Sequence, residues 1–174
     1  MKIDSLNGEW RLRYFEEGGN MPRNPDELRR FECEETTAKV PGNVELDLVE
    51  AGILPDDLYF GDNILQIGKY ESYQWWYERE FPTPAWTDEA DTEIVFEGLD
   101  CFATIWVNGI EAGNSSNAMI EHRFDVSEFL TEAVNTVCVR LRSPVNAVKH
   151  LPIDINSNTN IHRYESLWAR KPAH

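Results

Sequence analysis

The chain has 174 residues, 41% of them hydrophobic and 11% aromatic, which suits one folded domain and excludes a disordered one. Its net charge of −15 and pI near 4.6 exclude a nucleic-acid partner, because a phosphate backbone demands a basic surface. No apolar run approaches the roughly 20 residues of a membrane-spanning helix, so no membrane partner is expected.

The opening "MKIDSLNGEW" lacks the apolar centre of a secretion signal. The expected location is therefore cytoplasmic as the sequence stands, or periplasmic or secreted if a signal has been removed.

In chain order, "GEWRLRY" sets Trp10, Leu12 and Tyr14 against charged neighbours, the pattern of a half-buried strand. "MPRNPDEL" reads as a polar loop with prolines. "AKVPG" closes a strand, after which Asn43 reads as the N-cap of a short helix running to about Ala51, with Gly52 as its stop. "LPDDLYFGDN" is turn-rich yet aromatic for a loop. "YQWWYEREF" places Trp75, Tyr77, Arg79 and Phe81 on one strand face, and Trp76, Glu78 and Glu80 on the other. The loop "PTPAWTDEAD" then leads into the strand "TEIVFEG".

"CFATIWVNGIEAG" puts Ala103, Ile105 and Val107 on one face and Phe102, Thr104 and Trp106 on the other. Both faces are bulky, which predicts a central strand covered on each side. Asn108-Gly109 tolerates positive φ at both turn positions and predicts a type I′ hairpin. "HRFDVSEFL" predicts a strand ending in a turn, with Asp125 and Glu128 at capping-box spacing. "NTVCVRLRSP" alternates Val137, Val139 and Leu141 with Thr136, Cys138, Arg140 and Arg142.

Beyond Val145 no period is sustained. Short alternating strands, turn signals and a single helix predict an all-β, antiparallel sandwich over residues 1–150, followed by a tail over 151–174.

Catalytic chemistry is not visible. The serines sit in no "GxSxG" elbow, and with 31 aspartates and glutamates any proposed acid–base pair carries no information. "ECEE" and "TDEADTE" lack the alternating ligands and glycine turn of a calcium loop. Cys33, Cys101 and Cys138 match no zinc or redox motif and read as buried free thiols, while the four histidines are scattered. No metal or cofactor is expected.

Six tryptophans remain, with Trp75 and Trp76 aimed at opposite faces of one strand. Two readings stand: core residues, or an indole face offered to a sugar with Asp62 and Asn63 supplying hydrogen bonds.

"SLNGEWRL", "VPGNVELDLVEAGILPDDLYFGDN", "WWYEREF", "FEGLDCFATIWVNG" and "HRFDVSEFL" together resemble the N-terminal domain of family 2 glycoside hydrolases, most of all the β-mannosidase-like members. The resemblance runs from about Leu6 to Ser143. It implies a jelly roll of galactose-binding-domain-like type, followed by an immunoglobulin-like domain and a (β/α)8 barrel.

The family's acid and nucleophile are two barrel glutamates, and a barrel takes about 250 residues, so no glutamate here inherits those roles. In β-mannosidase-like members a Gly-Trp-Asp segment just beyond an Arg-Lys pair reaches the substrate. Arg170-Lys171 is present here, and the sequence ends at His174.

The implied function is a non-catalytic domain helping to build the active-site rim of a retaining exo-β-glycosidase. By itself such a chain is expected to be inactive. An autonomous carbohydrate-binding module and a purely structural docking domain are the alternatives. Mannosides lead as substrates, then galactosides, glucuronides or glucosaminides.

Overall fold

The computed structural model describes residues 2–85 and 91–150. Its strands are β1 (Gly8–Glu16), β2 (Glu34–Val40), β3 (Tyr73–Pro82), β4 (Glu93–Phe96), β5 (Ala103–Val107), β6 (Ile110–Ser115), β7 (His122–Asp125) and β8 (Val134–Leu141). Six of them form one antiparallel sheet in the order β2-β1-β3-β8-β5-β6, and β4 pairs with β7 separately. The expected all-β sandwich is present.

Alternation explains which residues face inward. Leu12 stands opposite Tyr77, Tyr14 opposite Trp75, and Ile105 opposite Val139, so the apolar positions form one continuous inner face. Ile94, Leu99 and Val126 cover it at one end, and Leu48, Leu54, Leu58 and Tyr70 at the other. Leu12 is fully buried, a burial that contributes roughly 2 kcal/mol.

The outer face carries a smaller core of Leu28, Trp76, Trp106 and Cys138. There the two indoles stack at 5.3 Å and 14°. All five residues of β5 are buried, between β8 and β6, as its two bulky faces predict. Its turn has φ of 51° at Asn108 and 80° at Gly109, the left-handed pair a type I′ hairpin requires.

The expected helix is α2 (Val44–Glu50), where Asn43 Oδ1 accepts from the Leu46 N–H at 3.0 Å and Gly52 leaves at φ +70°. It is not alone. In the segment expected to be a polar loop, α1 (Pro25–Leu28) starts where Asn24 Oδ1 accepts from the Glu27 N–H at 2.9 Å. After β8, α3 (Pro144–Val148) starts where Ser143 Oγ accepts from the Asn146 N–H at 3.1 Å.

Both extra helices are too short to show an apolar period, and their signature is the cap followed by proline at the first helical position. The turn after β7 also differs from expectation. Asp125 Oδ1 accepts from the N–H of Ser127 at 3.0 Å and from its hydroxyl at 2.7 Å, an Asx turn with no part for Glu128. The tail assigned to 151–174, with Arg170 and Lys171, lies outside the described residues.

Candidate functional site

The chain from Leu54 to Trp75 builds the aromatic corner singled out by the sequence. Leu54 and Leu58 turn into the core, and the backbone then folds on itself. Tyr59 N–H donates to Asp57 Oδ1 at 3.1 Å, and Asn63 Nδ2 donates to the Asp57 carbonyl at 2.8 Å. Leu65 N–H reaches the Asp62 carbonyl at 3.0 Å and opens a 3-10 turn over Asn63–Tyr70. Asp62 is exposed and its carboxylate caps nothing, while Asn63 is half-buried and occupied in bracing the loop.

Trp75 takes the core reading. It is 8% exposed, and its ring stacks on Tyr14 at 5.1 Å and 27°, with Tyr70 at 5.9 Å and Tyr73 at 6.1 Å. The period of β3 aims it at the inner face, where β1 supplies Tyr14 directly opposite. At that burial the indole is not the exposed platform a sugar would stack on. Asp62 and Asn63 are therefore neighbours on the loop, and among the described residues no hydrogen bond or ring contact joins either to Trp75. Tyr70, at the end of the 3-10 turn, is the link between them.

A pair that sequence spacing did not single out lies at the other end of the sandwich. Ser115 Oγ is 2.8 Å from His122 Nε2, the separation of a nucleophile and its base. The same Nε2 is 2.7 Å from the Asn117 carbonyl. A carbonyl only accepts, so Nε2 carries a hydrogen and is not free to take one from Ser115. The pair fastens β6 to β7 and does not activate a nucleophile.

Other titratable groups are set by burial. The Tyr77 phenol is pushed far up, first by desolvation and then by Asp47 and Glu45. Desolvation raises the Cys101 thiol to about 11 and pushes Cys138 higher still. Asp47 on α2 is raised by burial, although the Lys39 N–H at 2.9 Å partly offsets this. Among the described residues no group of three histidine, cysteine or carboxylate side chains is placed to hold a metal. No described helix is long and apolar enough to cross a membrane.

The inner face is left as a concave groove of about 1420 Å³, whose walls include Trp10, Leu48, Tyr70, Trp75, Tyr77 and Arg79. The groove's walls are largely apolar, and Leu54 and Ile67 among them flank the exposed loop that carries Asp62 and Asn63. A family model described as the glycosyl hydrolase 2 galactose-binding domain-like family matches residues 23–174. The chain belongs to this family.

Among curated relatives, β-mannosidase B of Thermothelomyces thermophilus is 34% identical over 106 residues, covering 61% of this chain and 12% of that protein. β-Mannosidase A of Emericella nidulans is 35% identical over 105 residues, covering 60% and 11%. The crystal structure of a β-D-mannosidase from Dictyoglomus thermophilum superposes with a TM-score of 0.78 at 28% identity, over 98% of this chain and 19% of that one. A β-glucuronidase from an uncultured Clostridium sp., at TM-score 0.54 and 22% identity over 81% of this chain and 22% of that one, shares the fold. The chain thus spans between 11% and 19% of the length of these β-mannosidases.

Family membership gives the hairpin "FATIWVNG" its place as a structural element of the galactose-binding-like sandwich.

Proposed function

We propose that this family 2 sandwich is the non-catalytic N-terminal domain of a larger retaining exo-β-glycosidase of β-mannosidase type, and that it forms part of the active-site rim. One observation carries the reading. The likeness to a β-mannosidase extends over 98% of this chain but only 19% of that enzyme, which leaves most of such a protein to other domains. The immunoglobulin-like and (β/α)8-barrel domains are the partners, and a β-mannoside is the leading substrate.

A retaining glycosidase acts through two carboxyl groups about 5–5.5 Å apart, one protonating the leaving oxygen and one attacking the anomeric carbon. Both belong to the barrel in this reading. The sandwich supplies orientation: Asp62 offers free carboxylate oxygens to sugar hydroxyls, Asn63 holds the loop, and Trp75 supports it from beneath through Tyr70. Burial of the Trp75 ring disfavours an autonomous binding module, which needs an exposed aromatic platform.

The test compares the gene's complete polypeptide with this chain alone on aryl β-mannoside, β-galactoside, β-glucuronide and β-glucosaminide. The complete polypeptide hydrolyses one of them, the mannoside foremost, and the chain alone hydrolyses none. Turnover by the chain that disappears on replacing one of its own carboxylates would overturn the reading.

A further inference from the structure

One stretch of this acidic domain holds four large apolar side chains out in water. Tyr59 is 77% exposed, Phe60 74% and Leu65 71%, with Ile64 at 42%. Single exposed apolar residues are ordinary, but a run of them on one loop is a patch of the kind that marks an interaction surface. The loop has already met the needs of its own core through Leu54, Leu58 and Tyr70, so these four are surplus to the fold.

The loop is also braced before any partner arrives. Asp57 accepts from Tyr59 N–H, Phe60 N–H and Asn63 Nδ2, and Asn63 N–H returns to the Phe60 carbonyl at 3.2 Å. A braced loop presenting two aromatic rings loses little conformational entropy on docking, which favours a specific contact over a floppy one. The loop itself is acidic: from Leu54 to Leu65 it carries Asp56, Asp57 and Asp62 and no lysine or arginine.

We propose that the Tyr59–Leu65 loop is the surface on which this domain seats against the catalytic domain of the same polypeptide, through an apolar pocket rimmed by lysine or arginine. This rests on the chain being one domain of a larger glycosidase, whose β-mannosidase relatives carry more than four-fifths of their length outside the matched part. Seating Phe60 and Leu65 brings Asp62, which lies between them, to the seam between the two domains. The apolar residues then provide the attachment and the carboxylate the contact with substrate.

Hydroxyl-radical footprinting read by mass spectrometry, on the isolated chain and on the complete polypeptide, tests the proposal. Oxidation of Tyr59 and Phe60 falls about tenfold in the complete polypeptide, equivalent to roughly 1.4 kcal/mol in favour of the seated state. Equal oxidation in the two forms, in a polypeptide that hydrolyses aryl β-glycosides, overturns the docking surface while leaving the glycosidase reading intact. A complete polypeptide without glycosidase activity removes both.

Protection that appears in the isolated chain as its concentration rises, or on adding mannose, also overturns the proposal, in favour of a second copy or a sugar. The double variant Tyr59→Ser/Phe60→Ser leaves the thermal midpoint of the isolated chain unchanged and lowers that of the complete polypeptide. Equal shifts in both forms count against docking.

Discussion

Asn108 Nδ2 donates to Asn135 Oδ1 at 2.6 Å, tying the β5–β6 turn to the start of β8. The Asn108 amide also donates to the Phe129 carbonyl at 2.7 Å, and its Oδ1 accepts from the Thr136 N–H at 2.9 Å. Asn135 is fully buried, with Oδ1 also accepting from Thr131 N–H at 2.8 Å and Nδ2 donating to Thr83 Oγ1 at 2.7 Å. Asn108 thus serves a turn that needs positive φ and a polar network that needs an amide.

Asn108→Gly keeps the turn and loses the network, at about 1–3 kcal/mol. Asn108→Asp sets a carboxylate oxygen against two acceptors and costs more than the glycine. Urea unfolding of the two variants gives this order, and an aspartate variant as stable as wild type would refute it.

The cysteines give a second expectation. Cys101 and Cys138 are buried and desolvation raises both thiols, so neither forms thiolate at neutral pH. Cys33 is half-buried, and its thiol is raised by burial despite the nearby Arg13. A colorimetric thiol reagent therefore modifies the native chain slowly, at Cys33 first. All three react together only after denaturation, and rapid native modification of Cys138 would contradict the packing.

Period-two alternation made the main sheet legible because β1, β3, β5 and β8 each bury one or both faces over several residues. Asn43 and Gly52 made α2 legible through its ends. The two shorter helices were hidden, since four or five residues contain no full apolar repeat, and their Asn24-Pro25 and Ser143-Pro144 starts are two-residue signals inside polar text. The corner loop was legible as aromatic but not as to which rings stay outside. Trp75 is buried because Tyr14 stands opposite it in the register, and a partner strand's register is invisible in a local window. Ser115 and His122 meet only because β6 and β7 are brought together by the fold.

Asp47 sets a pH dependence. Burial raises its carboxyl above the ordinary 3.8, with smaller upward contributions from Glu50 and Glu45. Between the ordinary value and the raised one, the folded state keeps a proton that the unfolded state has released. Raising pH through that interval therefore weakens folding, and lowering it restores the loss. Asp47→Asn retains an acceptor for the Lys39 N–H and carries no charge. The stability of wild type relative to this variant declines as pH rises from about 3.8 and levels off above the folded value. Urea titrations of both proteins across this range check it, and a difference that rises with pH would show that the folded carboxylate is favoured instead.

The last expectation separates support from contact in the aromatic corner. Trp75 is buried against Tyr14, Tyr70 and Tyr73, so Trp75→Ala lowers the stability of the isolated chain by about 3–5 kcal/mol. Asp62 is exposed and its side chain braces nothing, so Asp62→Ala leaves that stability within about 0.5 kcal/mol of wild type. Sugar binding by the isolated chain is undetectable or weaker than about 1 mM, because one exposed carboxylate, with Trp75 buried and Asn63 bracing the loop, does not reach the roughly 4 kcal/mol this affinity requires. In the proposed arrangement the opposing wall of the complete polypeptide excludes water from the same carboxylate. There Asp62→Ala lowers kcat/KM about tenfold or more while the thermal midpoint holds, as expected when a hydrogen bond to substrate is lost and packing is kept. Kinetics and thermal unfolding on the same preparations decide the point. Unchanged kcat/KM in Asp62→Ala would remove Asp62 from the rim, and micromolar sugar binding by the isolated chain would make it a binding module in its own right.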